Sequence, residues 1–572
     1  MKDTMSPKAL NDMGDAYFYG IDRPINHELA YTFYKQAADM DNPVGLFNVG
    51  MYFYHKSDFK KAIEFLDKSR ACGHSPAVLL LADMYKNGYG FHKSRKKAFK
   101  MYLQAANLND IDGYNAVGEC YKNGYGCGKN PEKAFSYYQK SADHGDMTGE
   151  LNVGLYYWKS SSYKKNPEPA LTWLDKAATH DSLEAKHLLQ EIYQTHNLPY
   201  FKKKSLASLR EMAFYYTESL AKANDIKALK TVADTYYNGS DITKKNHEKS
   251  ALYYKSLSDM GDQEGKYGYA VSLLYGQGVP KDVGLAKKLL EECAIHSHPM
   301  ALTRLGDIFR LGLNVPVDNE EAKKWYLEAA KHNDPEALMN LGLLNYRQVI
   351  EGHNPTLAYN FMETAAKKGY FQAWYWLGIF HDKGIGCEPS FHEAQKSFEK
   401  AIQQGSLGAK YKFAAMIIDE TRKGKNEGKK TIALFQTARQ LFTEYIADSM
   451  HNAANSAYAM AYLGEMYRDG LGMAPNPHIS RFWYESAAEA DLSSAMVEMY
   501  RILKDKEFDQ AMQWLNKAIQ DTTAADAFYE LGLVYLYGIP DNIQIDVKMA
   551  KAYLETAARQ NHKGALEKLM ML

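Results

Sequence analysis

The chain repeats itself, and that self-similarity constrains its fold more than anything else. The segment from Gly113, GYNAVGECYKNGYGCGKNPEKAFSYYQKSADHGD, and the segment from Ala301, ALTRLGDIFRLGLNVPVDNEEAKKWYLEAAKHND, share one pattern. It reads small-x-x-x-apolar-small-x-x-aromatic, then a glycine-bearing turn, then K-A-x-x-Y/W-Y-x-x-A-A. Fifteen starts follow this frame: Ala9, Gly45, Ala77, Gly113, Gly149, Ala185, Ala228, Gly265, Ala301, Ala337, Ala373, Ala409, Ala459, Ala495 and Ala527, most of them 36 residues apart. Each first half carries apolar residues at helical spacing, such as Val117, Cys120 and Tyr121. A glycine break follows, such as Asn123-Gly124-Tyr125-Gly126, and glycine after the last periodic residue is a helix stop. The second half is helical again, as in Ala322, Trp325, Tyr326, Ala329 and Ala330. A lone hairpin of this length cannot bury its own faces, so the units must stack. The expected fold is all-α: a solenoid of about fifteen helix-turn-helix units.

The residue five after each start is small: Gly14, Gly50, Ala82, Gly118, Gly154, Ala233, Ala270, Gly306, Gly342, Gly378, Ala414, Gly464 and Gly532. Only Gln190 and Tyr500 break the rule. Glycine inside a helix costs about 1 kcal/mol relative to alanine, so its recurrence predicts that another helix passes too close for a larger side chain.

The motif A-x-x-x-L-G-x-x-Y-x-x-G-x-G with K-A-x-x-W/Y-Y-x-x-A-A resembles the Sel1-like repeat family, a relative of the tetratricopeptide repeats. The resemblance covers essentially the whole chain. It implies a right-handed superhelical solenoid that serves as an adaptor or scaffold. The frame divides the chain into regular repeats over 1–184, an irregular unit with a basic insertion over 185–227, regular repeats over 228–408, an irregular unit with a Lys-rich insertion over 409–458, and repeats with a C-terminal cap over 459–572. The irregular units carry Asn197-Leu198-Pro199-Tyr200-Phe201 with Lys202–Lys204, and Arg422–Lys430. Those basic runs either hold acidic partners or are solvated loops.

Composition narrows the function. There are 69 basic and 69 acidic residues, so no global field attracts nucleic acid or an anionic membrane. No run of 18 apolar residues occurs, which predicts no membrane insertion. Five scattered cysteines make no disulfide framework. With no apolar leader at the N-terminus, the expected location is cytoplasmic, or else export by a route without an N-terminal signal. No phosphate loop, H-E-x-x-H, G-x-S-x-G or C-x-x-C occurs, so neither an intrinsic enzyme nor a cofactor or metal site is expected.

What remains is surface. In tetratricopeptide-like hairpins the first helix lines a groove, and by that resemblance positions six and nine after each start face it. Position six is acidic in seven units: Asp15, Asp83, Glu119, Glu191, Asp234, Asp307 and Glu465. Position nine mixes aromatics with charge. The candidate partner-binding residues are Tyr54, Asp83, Lys86, Glu119, Lys122, Trp158, Tyr237, Asp307, Arg310 and Tyr346. Aromatic anchors among charges suit capture of a protein or peptide. The competing reading is that the acids pair within their own helix with the cation three residues on, as in Asp83–Lys86, Glu119–Lys122, Asp307–Arg310 and Glu465–Arg468. The expected function is therefore a non-enzymatic adaptor. The alternatives are an exported bacterial host-interaction factor and a regulatory subunit of an enzyme.

Overall fold

A computed structural model describes residues 5–161, 166–195, 200–201, 204–422, 429–449, 453–539 and 543–572. Side chains at 429–430 and 453–455 are not described. The chain divides into two compact units, Met1–Asp282 and Val283–Leu572.

The first unit contains α1 (Pro7–Tyr19), α2 (His27–Ala38), α3 (Pro43–His55), α4 (Phe59–Ala71), α5 (Ser75–Asn87), α6 (Arg95–Asn107), α7 (Ile111–Asn123), α8 (Pro131–Ala142), α9 (Met147–Lys159), α10 (Glu168–Thr179), α11 (Leu183–Thr195), α12 (Leu206–Lys222), α13 (Ile226–Asn238), α14 (His247–Asp259) and α15 (Gln263–Tyr275). The second contains α16 (Val283–Ile295), α17 (Pro299–Leu311), α18 (Asn319–Lys331), α19 (Pro335–Tyr346), α20 (Pro355–Lys367), α21 (Phe371–Lys383), α22 (Phe391–Gln403), α23 (Leu407–Arg422), α24 (Lys429–Asp448), α25 (Ala453–Asp469), α26 (Pro477–Glu489), α27 (Ser493–Leu503), α28 (Phe508–Ala518), α29 (Ala525–Tyr537), α30 (Val547–Arg559) and α31 (Lys563–Leu569). Within each unit, consecutive helices pair into hairpins, and each hairpin packs on the next. Among the described residues the only extended pairing is an isolated bridge between Ile539 and Ile543.

Local chemistry sets the boundaries. Most second helices start at an Asn, Asp or Ser whose side chain accepts the backbone N–H three residues on, as at Asn130, Asp318 and Ser390. Such caps contribute about 1 kcal/mol each. The G-x-G turn has two separate duties. Gly124 takes the left-handed conformation, φ 73°, that ends α7. Gly126, also at positive φ, sits against the start of α6 in the previous hairpin, where an added Cβ would collide with the Arg95 carbonyl.

Two close helix approaches explain the small residues. The start residue lies on the Ala-Ala pair of the preceding second helix: a Cβ on Gly113 would stand 2.6 Å from the Ala106 nitrogen. The residue five later lies under a large side chain of its own second helix. A Cβ on Gly306 would stand 2.5 Å from Cε1 of Tyr326, and Gly118 meets Tyr138, Gly378 meets Phe398 and Gly464 meets Tyr484 in the same way. The core therefore sits between the two helices of each hairpin and between neighbouring hairpins, with Tyr326, Phe398, Leu66 and Leu174 fully buried.

The irregular units keep the hairpin plan with longer second helices, α12 of 17 residues and α24 of 20. Where the first of them lacks a glycine turn, Phe201 is buried against Tyr193 at 5.6 Å between ring centroids and fills the α11–α12 core. Asn197–Pro199, Lys202, Lys203 and Lys423–Gly428 lie outside the described residues. The candidate basic insertions therefore fall mostly on those segments.

Candidate functional site

Most of the acids at position six turn out to have partners inside the hairpin. The hydroxyl of Tyr34 donates to Asp15 at 2.7 Å, Tyr102 to Asp83 at 2.5 Å, Tyr138 to Glu119 at 2.9 Å, Tyr254 to Asp234 at 2.5 Å and Tyr326 to Asp307 at 2.7 Å. Tyr34, Tyr138 and Tyr326 lie over Gly14, Gly118 and Gly306 of their own first helices, Tyr254 lies against Gly268 of the next first helix, α15, and all five rings are buried. A buried phenol needs an acceptor, and the carboxylate next to the small residue at position five supplies it. Burial, then the carboxylate, pushes the hydroxyls of Tyr34, Tyr102, Tyr138 and Tyr254 far above the ordinary tyrosine value. Where Leu66, Leu174, Met362, Phe398 or Leu554 replaces the tyrosine, position six is Met51, Leu155, Leu343, Ile379 or Leu533. The acid accompanies the phenol.

The proposed pairing three residues along a helix occurs at Glu119–Lys122, 3.5 Å, and Asp307–Arg310, 3.2 Å. Asp83 bonds Tyr102 instead, while Glu465 pairs with Arg422, and Arg468 with Asp469 and Glu498. Asp307 is the most enclosed of the acids at position six, 3% exposed, and also accepts from Arg304. Glu119 is half open. Burial pushes it upward, but the Tyr138 hydroxyl, Lys122 and Asn123 together hold it below the usual glutamate range.

The aromatic candidates are partly buried rather than freely exposed. Tyr54 of α3 packs edge-on against Phe59 at 5.8 Å and Tyr89 at 6.1 Å. Trp158 of α9 packs on the cluster of α10–α12 that includes Leu171 and Leu189. Tyr237 meets the His247 ring at 5.3 Å, and Tyr346 meets Phe380 at 5.3 Å and Trp376 at 6.1 Å. Lys86 and Lys122 are exposed; Lys86 forms no ion pair among the described residues, and Lys122 also donates to Asn152 of α9 at 3.2 Å.

The α7–α8 turn, the start of α8 and the end of α9 enclose a cleft of about 620 Å³. Its floor is Ala134, Phe135, Leu155 and Tyr156, with the Phe135 and Tyr156 rings 4.4 Å apart. Lys122, Lys129 and Lys159 line it, and among the described residues no carboxylate does. Only Lys122 and Leu155 of this group stand at the two repeat positions read as groove-facing. The rest come from three segments whose convergence no single-position pattern reveals.

A second cleft, about 510 Å³, lies along α23, α25 and α27 in the other unit. There both lining arginines are already matched: Arg422 with Glu465, and Arg468 with Glu498 at 2.8 Å. Among the described residues no group of three or more His, Cys, Asp or Glu could hold a metal ion, and no helix is long and apolar enough to cross a membrane.

Stacked hairpins with two close approaches per repeat define a helical repeat protein. The Sel1 repeat model matches residues 7–42, 43–74, 75–110, 111–146, 149–182, 232–262, 263–294, 299–334, 335–370, 372–406, 457–492, 501–521 and 525–562, and the chain belongs to the Sel1 repeat family. The gaps at 183–231 and 407–456 contain the two irregular units. Among curated proteins, chitin synthase regulatory factor 2 of Schizosaccharomyces pombe is 25% identical over 218 residues, 36% of this chain and 41% of that protein. A sel1-like repeat-containing protein of Acanthamoeba polyphaga mimivirus is 30% identical over 97 residues, 17% of this chain and 18% of that protein. The chain thus spans less than half the length of either relative. Among solved structures, a protective antigen of uropathogenic Escherichia coli strains displaying an SLR fold matches at 20% identity and TM-score 0.45, covering 89% of this chain and 97% of that one. Sel1 repeat proteins are in general protein-interaction scaffolds.

Proposed function

We propose that this chain is a non-enzymatic adaptor that captures a protein partner on the first-helix side of its Met1–Asp282 unit, along α5, α7 and α9. The observation that carries the reading is the distribution of unmatched charge. The acids Asp83 and Glu119 are engaged by Tyr102 and Tyr138, whereas Lys86, Lys129 and Lys159 are exposed and make no ion pair among the described residues. Cations without partners beside the partly buried rings of Phe135 and Tyr156 form a surface with binding energy still to spend. A second reading, regulation of an enzyme by holding it, is favoured by the similarity to the fission-yeast chitin synthase regulatory factor.

The test is affinity capture from the native cell with the whole chain, compared with the Lys86→Glu/Lys122→Glu variant and a remote Lys548→Glu control. A partner held by the wild type and the control but lost from the double variant supports the adaptor surface. Equal capture by all three removes it from this face. Stoichiometric recovery of one enzyme whose rate changes on binding selects the regulatory reading.

A further inference from the structure

We infer that the cleft between the α7–α8 turn and the end of α9 is a docking site for an extended acidic segment of a partner protein, one carrying an aromatic or large aliphatic side chain between carboxylates. The inference rests on the adaptor reading above and gives it an address and a partner chemistry.

Three properties of the cleft lead there. Its volume, about 620 Å³, falls within the range of about 300–1,000 Å³ typical of ligand pockets, so it takes a large side chain with its flanking backbone. Its floor is apolar and aromatic, with Phe135 tilted on Tyr156 and edge-on to Tyr157 at 5.5 Å, which fixes the rings before any ligand arrives. A rigid aromatic floor loses little side-chain freedom on binding. The third property is charge. The chain as a whole is neutral, yet among the described residues the lining carries three lysines and no acid. Glu119 and Asn152 engage Lys122, while Lys129 and Lys159 are exposed and unmatched among the described residues. Among the polar groups of the lining, Asn123 already donates to Glu119, Asn152 to the Thr148 carbonyl and Ser160 to the Tyr157 carbonyl, so the lysines carry the recognition.

The same observations argue against the other anionic occupants. A nucleic-acid backbone needs a continuous basic track, but Asp83 and Glu119 alternate with Lys86 and Lys122 on the helices leading to the cleft. The arginines of the α23–α27 cleft each have a carboxylate already, so that site offers no comparable unmatched charge.

The probe is a fluorescein-labelled peptide set in which Phe, Tyr, Trp or Leu sits between paired aspartates, with a second set bearing asparagine at those aspartates. Anisotropy is read against the full chain, Lys129→Glu/Lys159→Glu, Phe135→Ala, and Lys548→Glu as a remote charge control. At least one aspartate peptide should bind the wild type and the control alike. Its affinity should fall by about tenfold or more in the double lysine variant, in Phe135→Ala and for its asparagine twin, and should weaken as salt rises. Circular dichroism of each variant shows that it is folded. Three results overturn the inference: no aspartate peptide binding, binding unchanged by the lysine reversals, or an oligothymidylate competing as well as the peptide at the same lysines. The readings fail separately. Cellular partner capture that survives Lys129→Glu/Lys159→Glu keeps the adaptor and removes this cleft, whereas peptide binding without any captured partner does the reverse.

Discussion

The tyrosine–carboxylate bond inside the hairpin can be weighed by a double-mutant cycle on Asp83 and Tyr102. The Tyr102 ring is 6% exposed, and its hydroxyl donates to Asp83 at 2.5 Å. Hydrogen bonds to charged groups contribute about 1.5–3 kcal/mol net, and Asp83 is only half-buried, so the low end applies. Tyr102→Phe removes the bond but leaves a carboxylate that water can reach, at a cost of about 1.5 kcal/mol. Asp83→Ala strands a buried hydroxyl, at a cost of about 2 kcal/mol. Once either partner is gone, losing the other matters little. The double variant should therefore cost about 2 kcal/mol rather than the sum, a coupling of about 1.5 kcal/mol. Stacked repeats do not unfold as one two-state body, so the readout must be local. Native-state hydrogen exchange over Ser75–Asn107 provides it. Additive costs, with a coupling below about 0.5 kcal/mol, would show that the pair does not hold α5 to α6 and would free Asp83 for a purely external role.

Three further outcomes follow from the same geometry. Gly306→Leu should lower the denaturation midpoint by the equivalent of about 1–3 kcal/mol or more, because Asp307 and Arg310 hold the Tyr326 hydroxyl at 2.7 and 2.9 Å and the ring cannot retreat; the exposed Lys324→Ala should change it by under about 0.5, and equal midpoints would remove the tight contact. Alkaline titration should unfold the chain: below about pH 10 folded and unfolded tyrosines both keep their protons, above it the unfolded chain loses them while Tyr253, pushed up to about 12, and the more strongly raised Tyr34, Tyr102 and Tyr254 do not, so stability falls as pH rises through the folded values. Tyrosinate absorbance and far-ultraviolet circular dichroism should then change together, and full ionisation near pH 10 with helix intact would contradict this. Trp158→Ala should cost about 2 kcal/mol of thermal stability through lost packing on the α10–α12 cluster, and an unchanged melting temperature would mean that the ring faces solvent.

The hairpin frame was legible because it repeats: starts, glycine turns and small residues all recur in register, and the structure places them at the close approaches that their size implies. The role of the acids was not. Read down one column, Asp83, Glu119 and Asp307 look like a charged face with cations three residues on, and the helix-surface rule accounts for the contacts of Glu119 and Asp307 with Lys122 and Arg310. The phenol that also engages each acid lies 19 residues away on the other helix. Only two columns compared across repeats would have exposed it, since the acid is present with Tyr34, Tyr102, Tyr138, Tyr254, Tyr326 and Tyr484 and absent with Leu66, Leu174, Met362, Phe398 and Leu554.

That covariation bears on how such a surface evolves a partner. At Tyr34, Tyr102, Tyr138, Tyr254 and Tyr326 the buried hydroxyl finds its acceptor at position six, so a packing choice inside sets a negative charge on the first-helix side, whereas Tyr216 bonds Asp175 of α10 instead. A leucine, as at Leu174, releases that position, and Leu155 then joins the cleft floor. The cleft lies where a tyrosine hairpin, α7–α8, meets a leucine hairpin, α9–α10. On one side Glu119 is spoken for by Tyr138, and on the other no acid is required at all. Lys129 and Lys159 make no ion pair among the described residues, and neither repeat departs from the hairpin plan. At this junction the change from Tyr138 to Leu174 between adjacent repeats goes together with a basic, apolar-floored cleft in a chain whose acidic and basic residues balance.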